Sequence, residues 1–166
     1  MLIRKLFKFE AAHVVRNCNS QRCKYSQHGH SYKVEFMFES HVLTDYGMVI
    51  DFGDLKLLKD HIDRFDHAYH IGNSETEKFK QWQKEHNHRW VELPFNPTAE
   101  NYAIYFLRVG QRLIDGANFD NSYAYCKGVR VHETDTGYAE SCVSDLPLHD
   151  YYQLEDVKFS EYCYTE

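Results

Sequence analysis

From His28 to Phe38 the chain alternates, with His28, His30, Tyr32, Val34, Phe36 and Phe38 on one parity and Ser31, Lys33, Glu35 and Met37 on the other. Only an extended strand sends residues two apart to one face, so this stretch commits the chain to a sheet with an apolar side. The two histidines at its head share that side. Both imidazoles can therefore grip one metal ion, with Gly29 between them expected to let the backbone crowd close. A third histidine, His13, ends the strand-like run Leu6–His13. Three neutral imidazoles with no fourth protein ligand describe a catalytic rather than a structural zinc, because one coordination position stays open to water or substrate.

Residues 2–9 read as one strand and 31–39 as another, separated by a polar loop, 14–27, that carries Cys18 and Cys23. Beyond the turn at Thr44–Gly47, Asp51 and Asp54 read as helix N-caps. Leu55, Leu58, Ile62 and Phe65 then recur at helical spacing, predicting an amphipathic helix that ends near Asp66. Residues 72–97 are polar and read as an inserted loop with a short helix around Glu75 to Lys84. Pro97-Thr98-Ala99-Glu100-Asn101 starts a second long helix, with Thr98 as its cap and Ala103, Phe106, Leu107, Leu113 and Ile114 as its buried face. Residues 122–134 and 138–143 supply two further strands around the turn Asp135-Thr136-Gly137. This order predicts an α+β fold: a four-stranded antiparallel sheet with both helices on one face. The other face is expected to expose apolar surface that a second copy of the chain buries. The expected catalytic domain spans 1–143, and the acidic, tyrosine-rich extension 144–166 has no assigned role.

At 166 residues the chain suits one domain with a core of its own. Its formal charge of -6 is spread over interspersed acids and bases, so no basic stripe marks a nucleic-acid or membrane-surface binder. No apolar run reaches the roughly 18 residues of a membrane span, and Met1–Leu6 is too short and charged for a signal peptide, so a cytoplasmic protein is expected. The five cysteines, an odd number without C-x-x-C spacing, fit reduced thiols better than a disulfide framework.

Six separated motifs occur in family order: Phe9-Glu10-Ala11-Ala12-His13; Cys23 ahead of His28-Gly29-His30; Gly47-Met48-Val49-Ile50-Asp51-Phe52; Asp66-His67; Pro97-Thr98-Ala99-Glu100-Asn101; and Val131-His132-Glu133-Thr134. In these the chain resembles the 6-pyruvoyl-tetrahydropterin synthase family, and most of all its bacterial carboxy-forming branch, which serves queuosine and related 7-deazaguanine biosynthesis. The resemblance covers 1–143. It implies the tunnelling fold, in which subunits join their sheets into a barrel, usually a homohexamer of two stacked trimers. It also implies a zinc-dependent lyase that converts 7,8-dihydroneopterin triphosphate to 6-carboxy-5,6,7,8-tetrahydropterin, acetaldehyde and triphosphate. Four residues separate Cys23 from His28. The carboxy-forming branch has three there and the pyruvoyl-forming branch five, so triphosphate elimination to a pyruvoyl product stays open as the alternative.

The resemblance adds Cys23 as the proton-moving thiol, with Cys18 as its rival, and Asp66-His67 as the rest of a proton relay. A helix C-terminal histidine favoured by the dipole is the plain alternative for His67. Alternation puts Glu133 on the face of Val129 and Val131, where a carboxylate needs a partner; a pterin ring offers paired N–H donors, and a solvated strand end is the alternative. Thr98 and Glu100 are weaker candidates for the same pocket, since capping alone explains both. A non-catalytic zinc- or pterin-binding protein on the same fold is the reading from another class.

Overall fold

The computed structural model describes residues 1–116, 119–145 and 152–164. Strands β1 (Leu2–His13) and β2 (His28–Glu39) pair antiparallel without a slip from Leu2 opposite Glu39 to His13 opposite His28. That register stacks Phe7, Phe9, Ala11 and His13 beside Val34, Tyr32, His30 and His28, so aromatic and histidine side chains share one face. A helical turn, α1 (Gln21–Tyr25), lies in the loop between them. There follow α2 (Lys56–Asp63), β3 (Ala68–Ile71), α3 (Glu77–His86), β4 (Trp90–Glu92), α4 (Ala99–Gly116), β5 (Tyr125–His132), β6 (Tyr138–Cys142) and β7 (Lys158–Phe159).

Among the described residues the strands form one sheet ordered β6-β5-β2-β1-β3-β4-β7. The expected four antiparallel strands are its β6-β5-β2-β1 half. The rest corrects the expectation: β3 runs parallel to β1, β4 parallel to β3, and β7 antiparallel to β4. The stretch 72–97 holds the expected short helix, α3, capped by the Thr76 hydroxyl, and in addition a strand that was not expected, β4.

Helices α2 and α4 cover the aromatic face. Leu58, Ile62 and Phe65 join Phe9 and Val91, and Tyr102, Ala103, Phe106 and Leu107 join Phe36, Val129 and Val131, in one continuous buried cluster, with Phe65 against Phe9 and Phe106 against Phe36. At Gly110 a Cβ would fall 2.7 Å from Cys126 Sγ and 3.1 Å from the Phe36 ring, so the absent side chain lets α4 approach the sheet closely. The tail adds Tyr152, Val157 and Cys163 to the same core; positions 146–151 and 165–166 of the expected extension lie outside the described residues. Asp51 caps a turn through Gly53 N rather than a helix, and α2 starts at Lys56 with no side-chain cap.

The opposite face also differs from expectation. Arg4 and His132 flank Glu35 at 3.0 and 3.3 Å, Arg130 pairs with Glu140, and Lys33 meets Asp135, so much of it is a charged ladder rather than an apolar surface. Phe79 of α3 stacks edge-on to Tyr69 over part of that face. No helix among the described residues is long and apolar enough to cross a membrane.

Candidate active site and metal centre

His13, His28 and His30 converge at one end of the β1–β2 pair, with a ligand nitrogen from each within 4.8 Å of the others. The three rings stand nearly edge to face, 4.6 to 5.1 Å apart. His13 Nε2 and His28 Nε2 are separated by 3.1 Å. Two nitrogens bound to a tetrahedral zinc at about 2.05 Å would stand about 3.3 Å apart, so the spacing fits one ion between them. Outer contacts aim these nitrogens inward: His28 Nδ1 lies 2.9 Å from the Ser26 carbonyl oxygen, and His13 Nδ1 3.3 Å from the Tyr32 hydroxyl. Burial, with the neighbouring His28, His30 and His70, pushes His13 down to about 3 and keeps it a neutral ligand. Burial lowers His30 too, helped by His28 and opposed by Glu133. A set of three imidazoles can hold a metal ion and leave a position open. Gly29 is not needed for close packing, because a Cβ there would meet only the Ala11 carbonyl oxygen at 3.4 Å, an ordinary contact.

Glu133 follows β5 and joins this cluster. Its Oε1 accepts the Tyr32 hydroxyl proton at 3.1 Å and lies 3.9 Å from His13 Nε2, while the carboxylate remains about one-third exposed. Burial, aided by Tyr102 and Glu133, raises the Tyr32 phenol well above its ordinary value, so the proton stays on to be donated. Thr98 caps α4 by accepting from Asn101 N at 3.4 Å. Glu100 is exposed in the first turn of that helix, its carboxylate making no hydrogen bond among the described residues. Neither is brought against Glu133.

Asp66 and His67 connect α2 to β3. Asp66 Oδ1 accepts from Glu10 N at 2.6 Å, and Oδ2 lies 2.7 Å from His67 Nδ1. The aspartate thus fixes the ring, whose far side is in solvent. His67 has φ 52°, the only non-glycine residue with positive φ among those described, a conformation that costs a branched or bulky residue free energy and is concentrated at working sites. The His67 ring opens onto a cleft of about 550 Å³ lined by Glu10, Gln27, His30, Ser31, Tyr69 and Arg89. By the strand alternation Glu10, Ala12 and Ser31 face away from the trio. One member of the trio, His30, lines the same cleft as His67.

Cys23 sits in α1, partly exposed, with its carbonyl oxygen accepting from Val15 N at 2.9 Å. Its thiol makes no hydrogen bond among the described residues, whereas Cys18 Sγ is turned to the carbonyl oxygens of Val15 and Ser20 at 3.1 and 3.4 Å. The rival cysteine is occupied within its own loop. Sequence reasoning missed Tyr32 as the link between His13 and Glu133, although its place two residues after His30 on the same face was a usable signal. It also missed Arg16 and Arg89, which hold the loop of Cys23 and the turn of His67, and for these no local pattern was available.

Residues 2–142 match the 6-pyruvoyl tetrahydropterin synthase family. Over 149 residues the chain is 42% identical to the 6-carboxy-5,6,7,8-tetrahydropterin synthase of Helicobacter pylori, covering 88% of this chain and 74% of that protein. The protein of the same name from Rickettsia typhi is 30% identical over 135 residues, 80% of this chain and 93% of its own. Among solved structures, an uncharacterized protein from Wolinella succinogenes superposes with a TM-score of 0.68 at 22% identity, over 86% of this chain and 98% of that one. The 6-pyruvoyl tetrahydropterin synthase of Caenorhabditis elegans gives 0.57 at 22% identity, over 86% and 94%. These two likenesses show the fold.

Proposed function

The chain belongs to the 6-pyruvoyl tetrahydropterin synthase family, and from that membership we propose that it is a carbon–carbon lyase, a 6-carboxytetrahydropterin synthase. Its substrate is 7,8-dihydroneopterin triphosphate, which with one water gives 6-carboxy-5,6,7,8-tetrahydropterin, acetaldehyde and triphosphate, a step of queuosine biosynthesis. The observation that carries this reading is the convergence of three imidazoles beside Glu133 in a chain 42% identical to a synthase of that name.

His13, His28 and His30 would hold a zinc ion, which when bound supplies Lewis acidity toward the side-chain hydroxyls of the pterin. Glu133 offers two carboxylate oxygens to the paired N–H donors of the pterin ring, with Thr98 and Glu100 kept as weaker candidates because capping and the first turn of α4 account for both. Cys23, as thiolate, takes a proton from the side chain. His67, oriented by Asp66, donates and accepts protons at Nε2 while triphosphate departs and the side chain is cleaved.

We take the site to be shared between subunits, as the family resemblance implies, with the metal and Cys23 from one chain and Asp66-His67 from its neighbour. We take the assembly to be the homohexamer of two stacked trimers, with sheets joined into a barrel, working in the cytoplasm. Incubation with dihydroneopterin triphosphate followed by product identification tests the reading. Acetaldehyde supports it. The four-residue spacing between Cys23 and His28 favours keeping pyruvoyl formation as the second reading, and a pyruvoyl product without acetaldehyde would establish it. Zinc-loaded protein yielding neither would identify a binding protein.

A further inference from the structure

The stretch 72–97 between β3 and α4 reaches back to both groups assigned to proton transfer. At its start Glu75, whose side chain is 5% exposed, accepts from Arg16 Nε at 2.8 Å, and the Phe79 ring lies 5.0 Å from the Arg16 guanidinium carbon. Arg16 Nη1 then donates to the Lys24 carbonyl oxygen at 3.1 Å, on the residue after Cys23. With the bond from Val15 N to the Cys23 carbonyl, this ties α1 down at two successive residues.

Near its other end, Arg89 spans three carbonyls: Nε donates to Asp66 at 2.6 Å, Nη2 to Asp63 at 2.7 Å, and Nη1 to Tyr162 of the tail. The carbonyls of Asp63 and Asp66 belong to the end of α2 and the turn beyond it, where helix geometry leaves acceptors without partners in the helix. A guanidinium fork reaches several spread-out acceptors at once in a fixed plane, whereas a lysine ammonium is a compact point donor that does not match that spread. Both arginines direct these donors to backbone carbonyls and to Glu75. Each fixes the backbone one residue from a proposed proton carrier.

We infer that Glu75, through Arg16, and Arg89 are positioning residues, which make the 72–97 segment the frame that sets Cys23 and His67 at their working places. This rests on the lyase reading of those two residues. The α3 excursion thereby acquires a role in catalysis without touching substrate.

The test uses the zinc-loaded assembly and the variants Glu75→Gln, Arg16→Lys and Arg89→Lys. Arg16→Lys keeps a charge opposite Glu75 while losing the fork, which guards against loss of fold. Two readouts are independent of turnover: the rate of Cys23 alkylation by iodoacetamide, followed by peptide mass, and amide hydrogen exchange at His67 and Glu10. Glu75→Gln and Arg16→Lys should shift the alkylation rate and lower kcat about tenfold at unchanged KM, given the steep dependence of rate on placement. They should leave the His67 and Glu10 amides alone. Arg89→Lys should speed exchange at those amides and lower kcat similarly, leaving Cys23 alkylation unchanged. Equal effects of all three variants on both readouts, or activity loss that simply tracks the melting midpoint, would overturn the inference. If alkylation and exchange respond as stated but the wild-type protein turns over no pterin, the lyase reading fails while the two tethers stand.

Discussion

His13 Nε2 faces His28 Nε2 across 3.1 Å while the second nitrogen of each ring is directed to an oxygen, the Tyr32 hydroxyl for one and the Ser26 carbonyl for the other. With those outer bonds donated by the rings, two lone pairs point into the same small space, an arrangement that a cation relieves.

The wild-type chain should bind one zinc, and His28→Ala should lose most of it. Metal analysis after gel filtration decides this. Full occupancy in the variant would remove His28 from the ligand set. Chelation of the wild type should also lower its melting midpoint, since an ion bound only by the folded state stabilises that state.

Cys23→Ala should keep metal and fold while turnover falls about 10²- to 10⁴-fold, the usual contribution of a proton-transferring side chain. Cys18→Ala should remain active, because the Cys18 thiol is engaged with Val15 and Ser20 carbonyls. The reverse pattern would assign the proton transfer to Cys18.

Mixing inactive Cys23→Ala with inactive His67→Ala protein should restore activity once subunits exchange. In a site drawing one group from each of two neighbours, random exchange leaves about one quarter of sites intact. No recovery after exchange verified by mass would mean that each chain completes its own site.

Acid should destabilise the fold before the carboxylates titrate. Burial, aided by Arg64, holds His61 down at about 3, and burial holds His70 at about 4, against an ordinary 6.5. As pH falls from 6.5 toward 4 the unfolded chain takes up these protons and the folded chain does not. Stability present above pH 6.5 is therefore lost on acidification, at about 1.4 kcal/mol per pH unit for each histidine. Urea unfolding of metal-free protein at pH 7, 6 and 5 measures the slope, and His61→Gln should reduce it by about one proton. A flat profile would show that these rings are protonated in the fold.

The parts of this architecture legible in the sequence are those with a long period. Tyr32, Val34, Phe36 and Phe38 announced β2, and Leu55, Leu58, Ile62 and Phe65 announced α2; all eight are buried as that spacing requires. His28 and His30 declared their common face, and the strand-like run up to His13 placed the third ring. What escaped was short and enclosed. Ala68–Ile71 is buried at all four positions, so it shows no alternation, and Trp90–Glu92 is too brief to carry a pattern. Their parallel pairing links residues far apart in the chain, which local periodicity does not encode. The acidic, tyrosine-rich tail gave no pattern because Tyr152, Val157 and Cys163 reach the core singly, the first two from irregular backbone and the third from a short 3-10 turn. In the site, Glu133 was readable from parity, whereas the contacts of Arg16 and Arg89 with distant carbonyls depend on the assembled fold.

The left-handed backbone of His67 sets the requirements of a durable fold against those of a working one. Glycine or asparagine at that position would relax the turn by about 1 kcal/mol, yet neither can carry a proton as an imidazole does. A library randomised at position 67 and sorted only for heat resistance should drift toward those two residues, and the same library sorted for product should return histidine. The divergence between the two winners would measure how much robustness selection has surrendered at this one residue to retain chemistry.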